Sequence, residues 1–319
     1  MGETMKTDTE FHEFLLCLYM GRKYMNEFTG GEIFHYTSPA SFEKILFSKA
    51  EVELFASRYD CVNDTQEGKY IINIYGDVVE ELHKVEKKIS DEEYRTIRSI
   101  LPRNEMLIPQ YKGGECVRAR NEKCDMYICC FSTDGDSLPM WNYYSKNDKY
   151  QGYSIGIEGQ PVIDSLNSFL SGANVKWYEV VYDEQEQKGL IKNFLSELLE
   201  YYTLARKPSI QETIASQLNE WSMIFKNPCF EHEKEVRMVL YLPKDKEHEH
   251  YTIEYRQKDM FMIPFTRFRL SKDCVTSVRI SPLYCTDGEK EQQIKILKER
   301  LNKEGYITEV IPSQIPIRY

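Results

Sequence analysis

The amino-acid sequence predicts an α+β fold, with a mixed, largely antiparallel central sheet flanked by helices. Apolar residues recur with helical spacing in several segments. Strand-like runs crowd the last third, where EVRMVLYLP, HYTIEYR, DMFMIPF and CVTSVRISP follow one another across turns. No Gly/Ser/Pro-rich linker divides the chain, so strands from both halves are expected to meet in one core.

The segment FHEFLLCLYMGRKYMNEFT carries Phe11, Phe14, Leu15, Leu18 and Tyr19 on one helical stripe. Gly30-Gly31 ends it, and the strand EIFHYT runs into Ser38-Pro39, the N-cap and first helical residue of SPASFEKILFSK. The strand EVELFA leads to the loop RYDCVNDTQEG, and a polar stretch from Gln66 to Arg98 repeats its apolar positions with helical spacing. MYICCFS and GYSIGIE read as strands, with SLPMWNYYS between them as a turn or helical turn. Residues 162–172 read as helix, 174–182 as strand, and 185–225 as mostly helix interrupted at Lys207-Pro208. The helix EKEQQIKILKERLNKEG sets Ile294, Leu297 and Leu301 on one face and ends at Gly305, leaving the strand YITEVI and the tail PSQIPIRY. The expected organisation is an N-terminal helix over 1–30 and one α+β domain over 31–319, with a helical insertion around 185–225.

Composition narrows the function classes. A chain of 319 residues with 41% apolar content can bury a full core. Its apolar runs are short and its first residues polar, so no membrane span or secretory segment is expected and the address read from the sequence is cytoplasmic. Nine cysteines, odd in number and irregularly spaced, fit reduced thiols better than a disulfide framework. Cys116, Cys124, Cys129 and Cys130 cluster without zinc-ribbon spacing, and no metal is expected. A formal charge of −10 argues against a broad polyanion-binding face, since that affinity comes from Lys and Arg neutralising phosphates. Nucleic acid held in a local pocket stays open.

HYTS followed by NDTQE, then CFSTDGDSLPMWNYYSKNDKYQGYSIGIE, FEHEKEVRMVL, SPLYCTD and the terminal SQIPIRY together resemble the bacterial domain-of-unknown-function family 2971, from about Ile33 to Tyr319. That family name implies no reaction. A second resemblance is to the ADP-ribosyltransferase superfamily, whose members have a first strand carrying His or Arg, a second with Ser or Tyr and a nearby aromatic, and a third led by Glu. His35, Ser132 with Trp141 to Tyr144, and Glu233 or Glu235 fall in that order. Two glutamates compete for the third position, and Trp141 is not a usual part of the motif. This resemblance implies an ADP-ribosyltransferase-like core with helical insertions, NAD as co-substrate, a protein or nucleic-acid acceptor, and a role as toxin or phage-defence effector.

Cleaving the nicotinamide–ribose bond passes through an oxocarbenium-like state and needs negative charge near the developing cation. Strand alternation in FEHEKEVRMVL would put Glu231, Glu233, Glu235 and Arg237 on one face, either as a solvated ion-paired face or as a site where Arg237 keeps one acid ionised. Glu235 is the preferred acid and Glu233 the alternative. His35 could donate to a ribose or phosphate oxygen, with Tyr36 and Thr37 extending that edge, or could be a satisfied structural histidine. Trp141, Tyr143 and Tyr144 offer faces for a nicotinamide or adenine ring; Trp141 is expected to pack and Tyr144 to reach the pocket. Asn63, Asp64 and Glu67 could cap a helix, fix substrate, or bind a divalent cation. Arg318 could pair with the acids or a substrate phosphate, or stay solvated. The function expected is therefore NAD-dependent ADP-ribosyl transfer or NAD hydrolysis. A non-catalytic nucleotide- or peptide-binding sensor, or a metal-dependent nuclease using Asp64, Glu67 and the ExE pair, are the alternatives.

Overall fold

The computed structural model describes residues 6–19, 23–61, 70–103, 105–112, 115–144, 151–159, 174–244, 251–258, 260–282 and 287–316. Its strands are β1 (Glu32–Thr37), β2 (Val52–Arg58), β3 (Glu105–Lys112), β4 (Glu115–Ser132), β5 (Tyr153–Glu158), β6 (Asn174–Glu179), β7 (Glu235–Pro243), β8 (Ile253–Lys258), β9 (Phe261–Leu270), β10 (Val275–Ile280) and β11 (Glu309–Pro312). The helices are α1 (Asp8–Tyr19), α2 (Pro39–Phe47), α3 (Tyr70–Lys84), α4 (Asp91–Ile97), α5 (Leu138–Tyr144), α6 (Glu184–Leu199), α7 (Lys207–Ser222) and α8 (Asp287–Lys303). The expected α+β class is found: helices flank an 11-stranded sheet, antiparallel except where β10 meets β11.

β4 organises that sheet. The path runs β11-β10-β5-β1-β4-β2-β9-β8, with β3 beside β4 and β7 between β4 and β6. β1 touches β4 at Phe34–Ser132, whereas β2 touches it at Ser57–Ile128 and Arg58–Tyr127, so two wings leave the hub at different heights. β7 follows β4 from Cys124–Pro243 to Ser132–Glu235. Alternation separates two cores. Ile128, Val239 and Tyr241 face a cluster with residues of α1, α3, α6 and α7, while Phe131, Met238 and Leu240 face one with residues of α2 and α8.

Several expected elements differ. The helical stretch expected from Gln66 to Arg98 is two helices within the described residues, because Lys87 turns at φ 52° and Ser90 with Glu93 forms a capping box that starts α4. The β3–β4 hairpin reaches back to Glu105, beyond the short run MYICCFS; charged residues in ECVRARNEKC hid that extension from an apolar pattern. In FEHEKEVRMVL, residues Pro228–Glu233 form a 3-10 turn and Lys234 adopts a left-handed conformation, φ 43°, so the strand starts at Glu235. The expected alternation from Glu231 fails there, and Glu231 is exposed. Residues 162–172 lie outside the described residues.

Candidate functional site

The chemistry-bearing residues concentrate where β4 and β7 end beside α5. Glu235 and Arg237 stand opposite Ser132 and Cys130 on the face that also carries Val239 and Tyr241. Arg237 grips Glu235 with both arms, Nε to Oε1 at 2.9 Å and Nη2 to Oε2 at 2.9 Å, and its Nη1 donates to the Met223 carbonyl at 2.7 Å. Lys226 Nζ donates to Glu235 Oε2 at 3.1 Å and to Glu233 Oε2 at 2.5 Å. Glu233, Glu235, Arg237 and Lys226 are all buried.

Two charges of each sign therefore balance inside the protein. Burial alone would push the Glu235 carboxyl up, but the Arg237 and Lys226 charges and hydrogen bonds from Arg237 and the Cys130 thiol outweigh it and bring it down to about 2. Burial likewise works against the Lys226 ammonium, yet Glu235 and Glu233 together overcome it and the repulsion of Arg237, so its pKa is raised. Both groups are charged at neutral pH.

Two phenols border this quartet. Tyr144, at the end of α5, keeps 37% of its surface exposed. Its hydroxyl has no hydrogen-bond partner among the described residues, and burial, Cys130, Glu235 and Glu233 all oppose its ionisation. The Tyr182 hydroxyl accepts from the Glu235 amide at 3.0 Å, and its pKa is raised by burial and by Glu235. Tyr143 packs its exposed ring on His232, centroids 5.6 Å apart, at the outer rim. The buried acids and cations thus lie beside Tyr144 and Tyr182, with Tyr143 and Tyr144 exposed at the surface.

The other expected site residues are used differently. His35 does not join the acids: Phe34, Ser132 and Glu235 are paired across β1, β4 and β7 and share a face, which turns His35 to the opposite one. There His35 packs edge-on against Phe131 at 5.7 Å, and its Nδ1 donates to the Cys130 carbonyl at 3.3 Å. Burial lowers its pKa, the bond to Cys130 notwithstanding. Tyr36 is buried against Trp141 at 4.8 Å, donating to the Asp134 carbonyl at 2.7 Å and accepting from the Ser137 amide at 2.8 Å. Trp141 is buried and donates to Asp136 Oδ1 at 3.0 Å. Thr37 is buried. Ser132 donates to the Glu233 carbonyl at 2.7 Å and accepts from the Asp134 amide at 3.1 Å, so it fixes the backbone that carries Glu233. Asn63, Asp64, Glu67 and Arg318 lie outside the described residues.

Lys226, Tyr182 and Cys130 were not singled out from the sequence as site residues. Lys226 and Tyr182 adjoin a bridge between Val181 and Phe225, and the Gln187 amide donates to both the Val181 and Lys226 carbonyls, at 2.6 and 3.0 Å. Nothing local in IFKNPC or VVYDEQ announces that meeting. Cys130 was legible in principle, because it lies two residues before Ser132 on one strand and so shares its face.

The model of a family described as protein of unknown function (DUF2971) matches residues 140–238. That span holds Tyr144, Tyr182, Lys226, Glu233, Glu235 and Arg237, so the matched stretch contains the buried charge cluster and the two phenols beside it. It does not reach β1 or the C-terminal strands, where the sequence resemblance had been drawn wider. No curated protein and no solved structure matches the chain. Among the described residues no group of three or more His, Cys, Asp or Glu side chains could hold a metal ion, and no helix is long and apolar enough to cross a membrane.

Proposed function

We propose that the surface around Tyr144 and the buried charge cluster binds a nucleotide-type molecule and that the chain acts on NAD, transferring its ADP-ribose to a protein or nucleic-acid acceptor or to water. The supporting observation is the buried pair Glu233 and Glu235 joined through Lys226, beside a Tyr144 hydroxyl without a hydrogen-bond partner among the described residues. In this reading the bond between ribose C1′ and the nicotinamide nitrogen breaks, nicotinamide keeps the electron pair, and the acceptor oxygen or nitrogen bonds to C1′ and releases its proton to solvent. Negative charge beside C1′ lowers that barrier. Glu235 is matched by two cations and in this reading organises the site, while Glu233, paired with Lys226 alone, supplies the negative charge beside the developing cation. Tyr144 supplies the aromatic face for the nicotinamide or adenine ring. The wider likeness to ADP-ribosyltransferases, and by analogy a toxin or phage-defence role, belongs to this proposal.

The charge balance of the quartet favours a second reading, a sensor that binds a nucleotide and breaks no bond. Incubating the purified protein with NAD, with and without candidate acceptors, separates the two. Nicotinamide release that falls about 100-fold or more in Glu233→Gln supports the enzyme. A thermal shift with NAD recovered intact supports the sensor, and neither turnover nor shift ends both.

A further inference from the structure

β8 is the last strand of the order that begins at β11. Among the described residues β8 pairs with β9 alone, and its hairpin carries four large apolar side chains in solvent: Tyr255 is 67% exposed, Met260 95%, Phe261 74% and Met262 63%. Unpaired backbone groups beside exposed apolar surface make an edge that another strand can extend. Most edges are blunted by charge. Here Glu254 and Arg256, on either side of Tyr255 in the chain, share the face opposite to it, since Glu254 pairs with Phe265 and Arg256 with Ile263 on β9 while Tyr255 pairs with Pro264.

We propose that the chain forms a two-fold dimer by pairing β8 antiparallel with β8 of a second copy, centred on Tyr255. In that register Glu254 stands opposite the second copy's Arg256, and Arg256 opposite its Glu254, so both cross-strand pairs are complementary. Shifting the axis by one residue, to Arg256, would set two guanidiniums face to face. Glu254 already accepts from Arg267 Nε at 2.6 Å and would lie between two cations, while Arg256, otherwise bonded to Ser57 Oγ at 2.9 Å, would gain a carboxylate. Tyr255 would meet its own symmetry mate on the other face, beside Met262 of each copy. The occupant is a second copy because the strand's own charge order matches itself about that axis.

The test is the solution mass of the full chain across micromolar concentrations, with cross-linking to fix the register. Wild type should run at twice the chain mass, and Arg256→Glu, which opposes two pairs of carboxylates, should run at the chain mass while still giving a cooperative melting transition at high dilution, slightly lowered by loss of the intrachain bond to Ser57. Tyr255→Cys should give a covalent dimer under mild oxidation, because directly opposed Cβ atoms come within disulfide reach, whereas Gln257→Cys should not. Cys17 and Cys229 are exposed, so wild type sets the background. The proposal stands if Arg256→Glu halves the mass and Tyr255→Cys alone cross-links above that background. A monomeric wild type, a dimer that survives Arg256→Glu, or cross-linking at 257 rather than 255 each overturns it.

Discussion

Glu235 holds its charge in the interior because two cations reach it before water can. Its pKa of about 2, against an ordinary 4.5, makes it a source of pH-dependent stability. The depressed value means that the folded state binds this proton less readily than the unfolded chain. The stabilisation is therefore complete above about pH 4.5 and is lost as pH falls toward 2, amounting to about 3 kcal/mol at 1.36 kcal/mol per unit. Glu235→Gln leaves Arg237 and Lys226 buried with less compensation and should cost about 3–5 kcal/mol at neutral pH. Melting curves of both proteins across pH 2–7 should show the gap narrowing through the acid range; a constant gap would mean that Glu235 is not the group titrating. At this scale the sequence was informative about Glu235 and Arg237, since residues two apart on a strand share a face. It misled at His35, since its face depends on which β4 residue pairs with Phe34.

Among the elements, the turn before β7 decides where the second acid sits. Pro228–Glu233 winds as a 3-10 turn, and Lys234, at φ 43° and ψ 52°, redirects the chain into the strand. Without that turn Glu233 would be two strand positions from Glu235; with it, both carboxylates reach Lys226 Nζ. Lys234→Val puts a β-branched side chain in a conformation it strongly disfavours and should destabilise by about 1–3 kcal/mol. Denaturant unfolding measures the loss, and Lys234→Gly, free of that restriction, should recover it. Periodicity could not find this turn, because FEHEKEVR alternates as cleanly as a strand and the reversal at Lys234 is a backbone choice made by packing. The helix starts were easier to read: Ser38-Pro39 caps α2 as expected, the Ser38 hydroxyl accepting from the Ser41 amide at 3.3 Å.

At the scale of the molecule, one carboxylate ties the C-terminal segment to the helix that carries Tyr144. Asp136 Oδ1 accepts from Trp141 Nε1 at 3.0 Å and from Ser313 Oγ at 2.6 Å, and its Oδ2 accepts from the Gln314 amide at 2.8 Å. Ile315 then packs on the cluster of Tyr36, Met140 and Trp141. Asp136→Ala removes the carboxylate that accepts from the Trp141 indole, the Ser313 hydroxyl and the Gln314 amide, and should lower stability by about 1–3 kcal/mol, read as a lower melting temperature. The tail motif SQIPIRY was noted in the sequence for its arginine. Arg318 lies outside the described residues, and the tail is tied down through Ser313, whose partner lies in the TDGDS loop 177 residues away.

By itself, the sequence determined the class of fold, the positions of most helices and strands, the capping of α2 and the neighbourhood of Glu235 with Arg237. Each of these follows from local spacing, which one chain segment carries alone. Tertiary structure decided that Lys226 and Tyr182 join the acids, that Glu233 reaches them from a turn, and that His35 faces away. Those outcomes depend on which strands pair, and at what register, between segments tens to hundreds of residues apart; a shift of one residue would turn every side chain of a strand to the other face.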